Sequence, residues 1–151
     1  NNSNNNIIRN EIYICDSSNN KIKKIITNSK PQLLFDFAGS GIQGFFGENI
    51  PAKQARLNKP FSITQDNFGN FYFSDQSNFR IRKIDNSSID NPIISTIGGN
   101  GIFFGSFTPD ENLAKNSSIN QPKEIVFDNK RNCLYYVEIF QSGQFNQETY
   151  Y

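Results

Sequence analysis

Asn70-Phe71-Tyr72-Phe73-Ser74-Asp75-Gln76-Ser77-Asn78-Phe79-Arg80-Ile81-Arg82-Lys83-Ile84 decides the fold, because the chain has already written it once. Glu11-Ile12-Tyr13-Ile14-Cys15-Asp16-Ser17-Ser18-Asn19-Asn20-Lys21-Ile22-Lys23-Lys24-Ile25 runs in the same order about 60 positions earlier. Both halves of the phrase are short, rich in β-branched and aromatic residues, and bounded by Asn, Gly, Ser and Asp. Such segments form half-buried strands, not helices. Asp66-Asn67-Phe68-Gly69-Asn70 and Asp75-Gln76-Ser77-Asn78 consist of residues that tolerate left-handed turn positions, so each predicts a tight hairpin.

The echo extends on both sides. Phe37-Ala38-Gly39-Ser40-Gly41 returns as Ile97-Gly98-Gly99-Asn100-Gly101, and Leu57-Asn58-Lys59-Pro60 as Ile119-Asn120-Gln121-Pro122. A third copy opens at Ile125-Val126-Phe127-Asp128 and continues through Leu134-Tyr135-Tyr136-Val137-Glu138, then fades after about Phe140. The complete copy predicts four consecutive antiparallel strands, over 61–65, 71–74, 80–85 and 93–97, which is the make-up of a β-propeller blade.

The order of a Leu-x-x-Pro, an Asp, a Gly-Asn-x-Tyr-x-x-Asp, an Asn-x-Arg-Ile-Arg-Lys-Ile and an Ile-Gly-Gly-x-Gly resembles the long form of the NHL repeat over nearly the whole chain. The first copy departs mildly, with Lys21-Ile22-Lys23-Lys24-Ile25 in the basic phrase. The resemblance implies an all-β fold, a partial β-propeller of about 2.5 four-stranded antiparallel blades belonging to a larger ring, six-bladed or similar. The expected division is a partial blade over 1–38, an inter-blade loop over 39–60, a full blade over 61–98, a second loop over 99–122, and the start of another blade with a tail over 123–151. Blades bury their faces against neighbours, so the end surfaces should be apolar unless more chain or a partner covers them. With no Met in the sequence, we expect part of a longer or processed chain.

Composition narrows the function classes. The net charge is +1, with Lys and Arg in short clusters, so no nucleic-acid footprint or acidic tail is indicated. The longest apolar runs, Ile12 to Cys15 and Leu33 to Phe37, are strand-sized and far from the length that spans a bilayer as a helix. There is no His, which excludes a His-containing triad or a His-ligated metal within this segment. The zinc-dependent lyase built on an NHL-like propeller is set aside on that ground. Cys15 and Cys133 are too few for a disulfide framework and read as small buried hydrophobes in strands. Asn1, Asn86 and Asn116 head N-glycosylation acceptor patterns, but so Asn-rich a chain supplies that number by chance.

Gly39-Ser40-Gly41-Ile42-Gln43-Gly44 matches the dinucleotide-binding GxGxxG, yet Phe45-Phe46-Gly47-Glu48-Asn49-Ile50-Pro51 makes a poor helix start, and the turn recurs at Gly99-Asn100-Gly101 without the third Gly. It reads as a repeated structural turn. Asp16 and Asp75 read as turn caps whose carboxylates accept backbone N–H groups of the next turn; Glu138, one methylene longer, would cap less well. Asp110-Glu111 alone is too small an acidic pair for a calcium site. The basic phrases at 21–24 and 80–83 read as structural or solvated, since alternation ordinarily puts charge on the wet side.

The long loops carry the most distinctive side chains: Phe45, Phe46, Phe103, Phe104 and Phe107 are candidate partner-facing anchors, with packing between blades as the preferred reading of paired aromatics. The expected function is a non-catalytic interaction or structural scaffold, without cofactor or metal. Its expected partners are a protein, further blades, or copies of itself. Alternatives are a propeller enzyme whose catalytic residues lie in other blades, and RNA binding through the basic strands, betrayed by steep salt dependence. Where long-loop NHL propellers are often found, an extracellular setting is expected.

Overall fold

A computed structural model describes residues 10–88, 90–103 and 113–139. It is all-β, with no α-helix among the described residues. Among the described residues ten strands occur in chain order: β1 (Glu11–Asp16), β2 (Lys21–Ile26), β3 (Leu33–Ala38), β4 (Ile50–Pro51), β5 (Pro60–Gln65), β6 (Phe71–Asp75), β7 (Arg80–Asp85), β8 (Ile93–Gly98), β9 (Pro122–Asp128) and β10 (Cys133–Glu138). They form three antiparallel sheets. The first is β1-β2-β3, the second β4-β8-β7-β6-β5, and the third β10-β9.

Burial alternates residue by residue in β8 and β10, as strand geometry places successive side chains on opposite faces. In β8, Ile93 to Gly98 alternates between half-buried and buried at every step. Cross-strand register then assigns the faces of the second sheet. Phe71 pairs with Ile84 and Ile84 with Ile94, while Phe73 pairs with Arg82 and Arg82 with Thr96, so these six side chains share one face. Phe71, Phe73, Ile84 and Ile94 on that face join Ile22, Phe37, Ala38, Ala52, Ala55 and Leu57 in the larger core, with Tyr13 and Cys15 of β1 packed on it. Tyr13 meets Phe37 at 4.8 Å and Phe71 at 4.2 Å between ring centroids, closing the first sheet onto the second. On the opposite face Ile81, with Tyr72 and Ile97, packs against Ile119, Ile125, Leu134 and Tyr136, and Tyr72 stacks on Phe127 at 5.2 Å. The second sheet is thus the middle layer.

Polar seams lock the layers. Ser74 Oγ donates to the Lys123 carbonyl at 2.6 Å, while Ser62 Oγ and Thr64 Oγ1 accept from the backbone N–H groups of Ile125 and Phe127 at 3.3 and 3.2 Å. Asn20 Oδ1 accepts from Lys59 N at 3.1 Å between the first two.

Three sequence expectations change. The stretch 39–60 is not all loop: Ile50 and Pro51 hydrogen-bond along the outer edge of β8, with Asn49 N on the Ile94 carbonyl and Ala52 N on the Pro92 carbonyl, both at 2.8 Å. This covers an edge that would otherwise offer unpaired backbone to another chain. Cys133 is exposed, so it is not a buried hydrophobe; Cys15 is half-buried, and both thiols are free. Arg82, placed on the wet side by the alternation argument, is wholly buried.

Candidate interaction face

The hairpin tips at 17–20 and 76–79 and the turns that follow β3 and β8 lie at one end of the sheets. Gly39 N donates to the Ala52 carbonyl and Gly99 N to the Ala114 carbonyl, each at 2.9 Å. Ser40 N and Asn100 N repeat the match on the Ala55 and Ser117 carbonyls. Gly39 has φ +90° and Gly99 φ +87°, and a Cβ on either would stand 2.4 or 2.3 Å from the carbonyl oxygen of Asn20 or Phe79. Only glycine fits. The Gly39-Ser40-Gly41 match to a phosphate-binding loop is therefore a turn required by close backbone approach, with no helix after it.

Phe45 lies under two guanidinium groups, 3.7 Å from Arg80 and 5.0 Å from Arg82, and still keeps 42% of its surface in solvent. One face of the Phe45 ring thus packs on guanidinium groups, while the rest is open to solvent. Phe46 is 55% exposed with Arg56 at 5.9 Å, and Phe103 is 41% exposed against Phe79 at 5.0 Å. Phe104 and Phe107 lie outside the described residues. Arg80 links the two loops, donating to the carbonyls of Asn78 and Asn100 at 2.8 Å. Ile42 and Ile102 are exposed as well, at equivalent places after Gly41 and Gly101. Sequence reasoning missed them, although their recurrence one repeat apart was the available signal.

Beneath this surface sits a buried ionic node. Asp75 Oδ1 accepts the backbone N–H of Asn58 at 2.8 Å, and Oδ2 accepts Asn78 Nδ2 at 2.8 Å, with Arg82 Nη1 at 3.6 Å. Asn78 Nδ2 also donates to the Gly44 carbonyl at 2.8 Å. Arg82 Nη2 donates to the Gly47 carbonyl and faces Glu48 at 3.5 Å, and Glu48 Oε2 accepts from Thr96 N at 2.9 Å. The loop from Gly44 to Glu48 is pinned to the second sheet at three points. Burial pushes the Asp75 carboxyl up to about 6 against the pull of Asn78, Asn58 and Arg82, and burial likewise lowers Arg82. Arg82 Nε and Nη1 have no hydrogen-bond partner among the described residues; the Phe45 ring face and the Asp75 charge are what they have instead.

The expected turn caps take a different form. Neither Asp16 nor Asp75 caps the following turn through backbone N–H groups. Asp16 receives only Asn19 Nδ2, at 2.9 and 3.0 Å, while Asp75 reaches back to the preceding loop. Glu138 performs the Asp75 task, accepting Asn120 N at 2.8 Å, and the strand register shifts between Tyr136 and Glu138. The basic phrases are engaged as well: Lys21 and Lys23 hold Asp36 at 2.6 and 2.7 Å, and Lys24 holds Glu11 at 3.3 Å. Those bonds from Lys21 and Lys23 keep the Asp36 carboxyl below its ordinary value. No cluster of three or more metal-ligating side chains occurs among the described residues.

No family model matches the chain, and no curated protein matches it. Solved structures do. A protein of unknown function from Bacteroides thetaiotaomicron superposes with TM-score 0.64 at 22% identity, covering 84% of this chain and 29% of that one. An auxiliary nutrient binding protein from the same species gives 0.61 at 22% identity, covering 84% and 32%. A putative phosphatase from that species gives 0.59 at 19%, covering 83% and 29%. The likeness carries the fold, and this chain spans about a third of each of those lengths.

Proposed function

We propose that the three sheets are successive blades of an NHL-type β-propeller, about 2.5 blades of a larger ring, and that they form a non-catalytic scaffold presenting the loop end to a protein partner. The observation that carries this reading is the recurrence of one connection: after β3 and after β8 the chain makes the same Gly turn, the same pair of backbone bonds and the same short 3-10 turn before the next sheet begins. Such repetition leaves the loop tips as the freely variable surface, where Ile42, Phe45, Phe46, Ile102 and Phe103 are each exposed. Neighbours that include an auxiliary nutrient binding protein are in keeping with binding; the putative phosphatase is not. Engagement of Lys21, Lys23, Lys24, Arg80 and Arg82 within the protein supports a protein partner over RNA.

Selection from a displayed peptide library tests the scaffold reading. The expected ligands have apolar or aromatic centres and lose at least about tenfold in affinity on the double substitution Phe46→Ser with Ile102→Ser, at unchanged thermal midpoint. Ligands indifferent to that pair, or a single-stranded RNA bound with a steep salt slope, would sink it.

A further inference from the structure

Each buried face of the middle sheet has an exposed counterpart one repeat away. Ile12, Ile14 and Leu34 occupy in the first sheet the positions that Phe71, Phe73 and Ile94 occupy in the second. The latter three are at most 2% exposed, whereas Ile12, Ile14 and Leu34 are 51, 42 and 58% exposed. At the other end Tyr135 is the third member of a series with Tyr13 and Tyr72. Tyr13 and Tyr72 each lie against a ring of the next sheet, Phe71 and Phe127, while Tyr135, Val126 and Val137 stand 42, 58 and 39% exposed. The Tyr135 face is thus the half of the interface that looks forward, and the Ile12 face the half that looks back.

We propose that these two end faces dock on one another between copies of this chain, Tyr135, Val126 and Val137 of one copy against Ile12, Ile14 and Leu34 of the next. The proposal rests on the stacked-blade reading above. A second copy is the occupant because it carries the required partner: the chain builds this kind of junction twice internally, from faces of the same repeat positions. Charge does not oppose it. Lys23 and Asp36, the ionic groups on the Ile14 row, already neutralise each other at 2.7 Å. The contact is heterologous, head to tail, and either closes into a ring or grows, according to the rotation per copy.

Light scattering on the 151-residue chain, coupled to size exclusion over a range of concentrations, tests it. The expected mass is twice the 17.2 kDa of one chain or more, falling on dilution. Ile14→Asp and Tyr135→Asp should each be monomeric alone, and a mixture should recover a one-to-one complex, since each contributes its intact face. The milder pair Ile14→Ser and Tyr135→Ser serves where either aspartate variant loses its β-sheet circular dichroism. A monomeric parent chain overturns the proposal; so does a Tyr135 variant that still associates like the parent, which would mean Ile12 faces meeting each other. Phe71→Ala separates this failure from that of the underlying reading: a monomeric chain that this substitution strongly destabilises keeps stacked sheets without self-association, while indifference to it removes both.

Discussion

Asp75 is a carboxylate buried between two hydrogen-bond donors and the Arg82 guanidinium, and its titration has a definite sign. Its folded value of about 6 lies above the ordinary 3.8, so the folded chain holds this proton longer than the unfolded one. Stability owed to Asp75 is therefore fully present below about pH 4 and falls as pH rises to about 6. Asp36, Asp66 and Asp128 are held below their ordinary value by their donors and act with the opposite sign at lower pH. Urea unfolding of the parent and of Asp75→Asn between pH 4 and 7 isolates the node: the parent's margin over the variant should shrink as pH rises, and a constant margin contradicts the burial argument. The two cysteines offer a second test. Burial pushes the Cys15 thiol up to about 12, whereas Cys133 is exposed. A disulfide reagent at neutral pH should therefore label Cys133 quickly and Cys15 only as the first sheet opens.

Strands and hairpins were legible because their causes are local. Short runs of β-branched and aromatic residues between turn-formers set β6, β7 and β8, and the αL positions at Asn20 and Gly69 are residues suited to them. Phe79 is the exception: it takes the Asn20 place with φ 54°, a conformation costly for a ring-bearing residue, and packs on Phe103. The hairpin at 66–70 is held as its composition suggests, Asp66 Oδ1 accepting the backbone N–H groups of Phe68 and Asn70 at 2.9 and 2.8 Å. Phe68 at its tip is 84% exposed, while Phe71, three residues on, is 2% exposed between Tyr13 and Phe37. Phe71→Ala should cost about 3–5 kcal/mol and Phe68→Ala no more than about 0.5 kcal/mol, read as shifts in the urea midpoint. Equal effects would mean that the sheets do not share the core described.

Layering sets which parts open first. Among the described residues, the second sheet is covered on both faces, whereas the first and third are each covered on one. Amide exchange should be slowest in β6 and β7 and faster in β1 and β10, with protection at the latter two rising at concentrations where copies associate. The loop of 39–60 should exchange with the second sheet, not the first, because Asn49 and Ala52 bond to its β8 edge and Gly44 and Gly47 to Asn78 and Arg82.

Apart from β4, strand positions, turn glycines and antiparallel order were all written in the chain, because strand and left-handed turn preferences act over a few residues. The fate of its charges was not. Arg82 and Lys23 stand at the same place in their repeats, yet one is buried beneath Phe45 and Gly47 and the other pairs with Asp36. The difference lies in what packs from far along the chain: residues 44–48 reach Arg82 only once the two sheets are stacked. The same holds for the Asn58 N–H on Asp75 and for β4 on the edge of β8. Tertiary packing alone could decide these contacts, because desolvation of a charge depends on every neighbour that excludes water.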